Sequence, residues 1–129
     1  MKSLILLSII FVFLLFPINS VFSELEFDTN ARVYSPDHIL QVYGTALPGE
    51  NIILRLFGPD ESITKFDQVQ TNSDGTFNYQ LLTWPKPSSG TPYGTYVVEV
   101  LSIEQEGLSK KIDIKFSSTT ELMLSLIHI

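Results

Sequence analysis

The chain has 129 residues, no cysteine, and fourteen acidic against eight basic side chains, which gives a net charge of −6. The acidic balance argues against nucleic acid and anionic membranes as partners. The lack of cysteine excludes disulfides, thiol catalysis and zinc–thiolate sites. A chain of this length has room for one small domain.

The N-terminus is predicted to be an export signal. Lys2 is followed by an apolar run at residues 4–16, and Pro17 then breaks that run. This layout is typical of a helical signal peptide, here residues 1–23 with cleavage after Ser23. The run is shorter than the about 20 residues that span a bilayer. An uncleaved anchor is the alternative, and the segment would then be the chain's contact with the membrane.

The first half of the mature chain predicts three strands separated by turns. Residues 24–35 predict a short, interrupted first strand, followed by a turn around Pro36. Residues 39–47 alternate in polarity, and Gly44 indicates a bulge or a close neighbouring backbone. A Pro-Gly turn leads to a strand at 50–57. The side chains predicted to face inward are Leu40, Val42, Ala46, Ile52, Leu54 and Leu56.

The second half predicts four more strands. Residues 63–71 predict a weaker strand, because Phe66 and Val69 do not alternate strictly. Asp74-Gly75 is typical of a hairpin turn. Residues 84–94 form the longest predicted loop, and the most regular strand follows it, with Glu99 predicted on the solvent side. The predicted inward side chains are Phe77, Tyr79, Leu81, Tyr96, Val98, Val100, Ile112, Ile114 and Phe116.

Pro92, Gly94 and Tyr96 form a corner before the most regular strand. A tyrosine after such a corner resembles the tyrosine corner of immunoglobulin-like sandwiches, where the hydroxyl bonds to backbone a few residues upstream. An ordinary core tyrosine is the alternative. Residues 42–59 and 73–77 also resemble the immunoglobulin-like and fibronectin-type-III-like repeats of prokaryotic exported and cell-surface proteins.

The resemblance and the strand spacing together predict an all-β chain with a single immunoglobulin-like antiparallel β-sandwich of about seven strands at residues 24–116. Leu54, Phe77, Val98 and Ile114 are expected to share its core. Residues 117–129 are predicted to be a linker and tail. The last six, LSLIHI, resemble a translated sequencing adapter, which would make the chain a fragment. An eighth strand or an apolar C-terminus is the physical alternative.

The sequence indicates no catalytic set, cofactor or metal site. His38 beside Asp37 is typical of a solvated turn, and Asp74 is explained by its hairpin. The better candidates are two aromatic residues, Trp84 and Tyr93, which flank the longest loop and could stack on a sugar or contact a protein. The alternative for Trp84 is that it covers one end of the core.

The expected function is therefore non-catalytic: a spacer, adhesion or assembly module of an exported or cell-surface protein. Its expected partners are a protein or a glycan at the cell surface, or neighbouring repeats of a longer chain. The alternative is a carbohydrate-binding accessory module of a longer exported enzyme.

Overall fold

The structure is a computed structural model that describes residues 25–118. The predicted signal peptide at 1–23 and the tail beyond residue 118 lie outside the described residues. Within the described range, no helix has the length and apolar character needed to cross a membrane. All regular elements between residues 25 and 118 are strands, so the prediction of an all-β domain is confirmed.

Eight strands form two sheets. A three-stranded sheet has the order β1-β3-β6, and a five-stranded sheet has the order β2-β8-β7-β4-β5. All pairings are antiparallel except that of β2 with β8, which is parallel. The bounds are β1 Glu26–Thr29, β2 Val33–Tyr34, β3 Ile39–Thr45, β4 Asn51–Phe57, β5 Ile63–Gln70, β6 Thr76–Thr83, β7 Gly94–Ser102 and β8 Leu108–Phe116.

The extra strand arises because the predicted first strand is divided between the sheets. β1 pairs with β3, whereas β2 pairs with β8 of the other sheet. Local hydrogen bonds hold the crossing between them: the Thr29 hydroxyl donates to the Ala31 carbonyl at 2.7 Å, and the Tyr34 hydroxyl donates to Asn30 Oδ1 at 2.6 Å. The interrupted segment of the sequence is therefore a crossover between two layers.

Alternate side chains of both sheets meet in one core. The predicted inward residues of both central strands are fully buried, as the period-two pattern requires: Ile52, Leu54 and Leu56 of β4, and Tyr96, Val98 and Val100 of β7. All four residues singled out for the core belong to the same buried cluster. That cluster is Leu25, Tyr34, Leu40, Val42, Ala46, Ile52, Leu54, Leu56, Phe77, Leu81, Trp84, Tyr96, Val98, Val100, Ile114 and Phe116.

Gly44 marks a close approach between strands. A Cβ at this position would lie 2.0 Å from the backbone oxygen of Glu26 in β1, so a side chain cannot fit without moving that strand. The only register shift between β3 and β6 occurs between Leu40 and Gln41, away from the glycine. Of the two alternatives that the sequence allowed, the structure shows the close neighbour.

Tyr96 fixes the entry to β7. Its ring is buried, and its hydroxyl donates to the Pro92 carbonyl at 2.6 Å, four residues upstream. Burial raises the pKa of the Tyr96 hydroxyl. Gly94 has a φ of 153°, and a Cβ there would lie 2.8 Å from Cγ of Pro59. The corner geometry therefore depends on all three residues of the predicted motif.

Tyr96→Phe is expected to lower the free energy of unfolding by about 1 kcal/mol, because the Pro92 carbonyl loses a partly buried donor while the ring packing is kept. Urea denaturation followed by tyrosine and tryptophan fluorescence measures the change. Tyr43→Phe is the matched control, since the Tyr43 ring is exposed. Equal midpoints for wild type and Tyr96→Phe would show that the hydroxyl contributes nothing.

Candidate functional site

The structure does not leave Trp84 available as a binding residue. Its side chain is 0% exposed. Its ring stacks on Phe116 at 4.5 Å between centroids and meets the edge of Tyr96 at 5.0 Å. Backbone hydrogen bonds from Trp84 to His38 and from Asp37 to Trp84 extend the pairing of β3 and β6 by one position, which directs the indole inward. Trp84 covers one end of the core, as the alternative interpretation held.

Tyr93 lies at the rim of the same aromatic cluster. It is 41% exposed, and its ring packs against Phe116 at 4.9 Å between centroids. Trp84 and Tyr93 thus contact the same phenylalanine, but Trp84 is inside the sandwich and Tyr93 is outside it. They do not form a shared platform, and Tyr93 offers one partly exposed ring.

Two of the most exposed apolar side chains lie on the outer surface of the five-stranded sheet, which we call the five-stranded face and define as the outward side chains of β4, β5, β7 and β8. Phe66 is 66% exposed and Ile63 is 51% exposed, both on the edge strand β5. Ile63 lies opposite Phe57, and Phe66 lies opposite Arg55. Phenylalanine and arginine are both enriched in protein interfaces relative to the rest of a protein surface.

An ion-pair network lies at the centre of the five-stranded face. Arg55 Nε donates to Glu99 Oε1 at 2.6 Å, and Lys111 Nζ lies 3.7 Å from Glu99 Oε2. Glu99 points away from the core, as predicted, but it is only 4% exposed, because Arg55 and Lys111 cover it. The Arg55 guanidinium also lies 5.4 Å from the ring centroid of Phe57. The network holds Arg55 in one orientation beside the exposed Phe66.

The outer surface of the three-stranded sheet has a different chemistry. Tyr43 is 42% exposed there, and the Gln41 side-chain amide donates to Asn78 Oδ1. A shallow depression runs along β1 beside Tyr43 and includes Asp28. The hydrogen bond from the Thr29 backbone N–H, reinforced by Arg32, lowers the pKa of the Asp28 carboxyl. This surface combines an aromatic ring with amides and a carboxylate.

The remaining sequence candidates for chemistry are separate from one another. The exposed His38 ring forms hydrogen bonds with the backbone N–H and the hydroxyl of Ser35. Asp74 accepts hydrogen bonds from the Thr76 backbone and hydroxyl, which lower the pKa of its carboxyl and are typical of a turn. Across residues 25–118, no group of three or more His, Cys, Asp or Glu side chains is placed to hold a metal ion.

Comparison with known proteins gives likenesses only among solved structures. No family model and no curated protein matches the chain. A carbohydrate acetylesterase from Xanthomonas citri matches 66% of this chain at 18% identity and a TM-score of 0.47, and this chain spans 16% of that protein. The sporulation control protein Spo0M from Bacillus subtilis matches 84% at 16% identity and a TM-score of 0.35, with 56% of its own length covered. Neither likeness assigns an activity here.

Ile63, Phe66 and Arg55 were not predicted as binding residues from the sequence. The pattern at residues 63–71 predicted only a weak strand. The irregular spacing of Phe66 and Val69 was nevertheless a signal, because residues three apart lie on opposite faces of a regular strand, so only one of the two can be buried. An apolar side chain that a strand cannot bury is available to a partner.

Proposed function

We propose that this chain is a non-catalytic, immunoglobulin-like module of an exported or cell-surface protein and that it acts in adhesion or assembly through the five-stranded face. The leader pattern at residues 1–23 supports export. The exposed pair Ile63 and Phe66, beside a pre-ordered Arg55, is the observation that carries the binding role.

The strand order supports the immunoglobulin-like assignment. In constant-type sandwiches the first, second, fourth and fifth strands share one sheet, and the third, sixth and seventh share the other. With β1 and β2 counted as one strand, the fourth strand of this chain is β5, which differs by joining the second sheet. Here β1, β3 and β6 form the first set, and β4, β7 and β8 belong to the second. β5 extends the second sheet beyond β4, as an added strand does in variable-type domains. The hydroxyl of Tyr96 at the start of β7 matches the tyrosine corner.

Two features differ from antibody domains. The chain has no cysteine for an inter-sheet disulfide. Its buried tryptophan follows β6, whereas antibody domains bury one on the third strand of the sandwich. The ring cluster of Trp84, Tyr96 and Phe116 therefore occupies the sandwich end, and core packing takes the place of a disulfide between the layers.

Site-specific photo-cross-linking tests the binding role. A photoreactive phenylalanine analogue replaces Phe66, or replaces Asn78 on the outer surface of the three-stranded sheet as a matched control, in the full chain produced in bacterial cells. We expect the variant at position 66 to give a discrete adduct in the envelope fraction whose second component mass spectrometry identifies. The variant at position 78 is expected to give none.

The cross-linking result has two informative alternatives. Equal adduct formation from positions 66 and 78 would show that the five-stranded face is not the preferred binding surface. An adduct formed only with cytoplasmic proteins would contradict the proposed export.

Carbohydrate binding is the second candidate function, and the surface around Tyr43 favours it. An exposed aromatic ring with flanking amides matches the usual chemistry of sugar recognition, in which a ring face covers the sugar and polar side chains bind its hydroxyls. A glycan array that shows selective binding by wild type and none by Tyr43→Ala would support it. Signals that Tyr43→Ala leaves unchanged would remove this candidate.

A further inference from the structure

The strand β5 leaves one edge of the five-stranded sheet unpaired among the described residues. β5 spans Ile63–Gln70 and pairs on one side with β4; among the described strands, none pairs with its other side. A free edge presents unpaired backbone N–H and C=O groups that can pair with another strand. The other end of this sheet is β2, which has only two residues. β5 is thus the longer of the two edges of this sheet.

Two oppositely charged residues of β5 flank its one aromatic residue, Phe66. Lys65 precedes Phe66 and Asp67 follows it, so both charges lie on one side of the strand and the ring lies on the other. Lys65 is exposed, and no ion pair is found for it between residues 25 and 118. Asp67 is half-buried, and only its Oδ2 accepts the Tyr79 hydroxyl, at 2.7 Å. That hydrogen bond raises the pKa of Tyr79 and leaves Oδ1 of Asp67 as an acceptor.

We propose that β5 pairs with β5 of a second copy of this chain, antiparallel about a two-fold axis through Phe66. The two five-stranded sheets would then become one continuous sheet. This inference rests on the proposed binding role of the five-stranded face and names its partner. Charge complementarity between the two β5 edges favours a second copy of this chain as the partner.

Only one register satisfies that complementarity. In one continuous sheet, residues that lie opposite each other point to the same face. The two-fold axis must therefore pass between a residue and the same residue of the second copy. An axis through Lys65 or Asp67 sets like charges opposite one another, which destabilises a strand pair. An axis through Gln68 pairs neither charge with its opposite. An axis through Phe66 sets Lys65 opposite Asp67 twice and places the two phenylalanine rings side by side.

The structure also limits how far this pairing extends. The register between β4 and β5 shifts at Phe57, where Thr64 is the extra residue of β5. A bulge of this kind bends the strand and ends regular pairing. The regular part of the shared ladder therefore runs from Lys65 to Asp67, with Thr64 and Ile63 beyond it. So short a ladder gives a small interface, and we expect a weak, reversible dimer.

Charge exchange across the edge tests the register. Sedimentation equilibrium of the purified chain at low ionic strength is expected to show a concentration-dependent dimer. Lys65→Asp sets two carboxylates opposite each other at each pair, and Asp67→Lys sets two ammonium groups opposite each other. Each variant should weaken the dimer about tenfold or more, and the double variant should restore it, because opposite charges again face one another.

Two controls separate this effect from a loss of folding or of net charge. Tyr79→Phe removes the hydrogen bond to Asp67 without changing the charge and should leave dimerisation unchanged. Lys86→Asp makes the same charge change as Lys65→Asp in the exposed loop after β6 and should also leave it unchanged. Urea midpoints of all variants report whether each one is folded.

The outcomes are distinct for the two proposals. A wild-type chain that stays monomeric at all concentrations, or a double variant that does not recover the dimer, overturns pairing through β5. If that chain still forms an adduct with another envelope protein from position 66, the proposed binding role stands and only its partner changes. An adduct whose second component is the chain itself supports both.

Discussion

Trp84→Ala is expected to lower the free energy of unfolding by about 4 kcal/mol. The indole is fully buried and contacts the rings of Tyr34, Tyr96 and Phe116, so the substitution removes the centre of the aromatic cluster and leaves a cavity at one end of the core. Urea denaturation monitored by far-ultraviolet circular dichroism measures the loss, since the variant has no tryptophan left to report by fluorescence.

Two further substitutions serve as comparisons for Trp84→Ala. Trp84→Phe should cost less than Trp84→Ala, because a ring still fills much of the space and the indole Nε1, which has no hydrogen-bond acceptor in the described part of the chain, is removed. Tyr93→Ala, at the exposed rim of the same cluster, should cost less than either. A loss of less than 1 kcal/mol for Trp84→Ala would contradict the placement of the indole in the core.

Glu50→Ala is expected to lower the free energy of unfolding by about 3 kcal/mol. Glu50 is fully buried at the start of β4. Its carboxylate accepts the Leu47 backbone N–H at 2.6 Å, the Gln105 amide at 3.0 Å and the Ser102 hydroxyl. The ion pairs found among residues 25–118 do not involve Glu50, so uncharged donors are the groups that satisfy its carboxyl oxygens. Alanine would leave these donors without their acceptor.

Glu50→Gln is the closest variant in shape, and we expect an intermediate loss, because a neutral amide accepts hydrogen bonds more weakly than a carboxylate. Glu104→Ala removes an exposed acid from the neighbouring turn and should change stability by less than about 0.5 kcal/mol. If Glu50→Ala and Glu104→Ala proved equally mild in urea denaturation, the buried network would have no part in holding β4 to the turn after β7.

The sequence predicted the inside of this domain well and its surface poorly. Inward positions such as Leu54 and Val98 follow from period-two alternation, which is a local property of each strand. The turn at Pro48 and Gly49 was equally local, and Gly49 has the positive φ of 67° that its predicted place in the turn requires. Such features need no knowledge of which strands become neighbours.

The missed features depend on contacts between distant parts of the chain. Glu99 is covered because β4 brings Arg55 beside it, and alternation in β7 alone predicts only that Glu99 faces outward. The burial of Trp84, which the sequence left as one of two alternatives, depends on the backbone of His38, which holds the end of that strand. The division of the predicted first strand into β1 and β2 requires both sheets to be in place. Sequence spacing does not specify these pairings.

The central claim is that the domain buries Trp84 and presents Phe66. Hydroxyl-radical footprinting of the purified chain in dilute solution, read residue by residue by mass spectrometry, tests it directly, because an indole reacts intrinsically at least as fast as a phenyl ring. We expect rapid oxidation at Phe66, which is 66% exposed, and protection of Trp84, which is 0% exposed. Oxidation of Trp84 as fast as that of Phe66 would contradict both the core and the binding face.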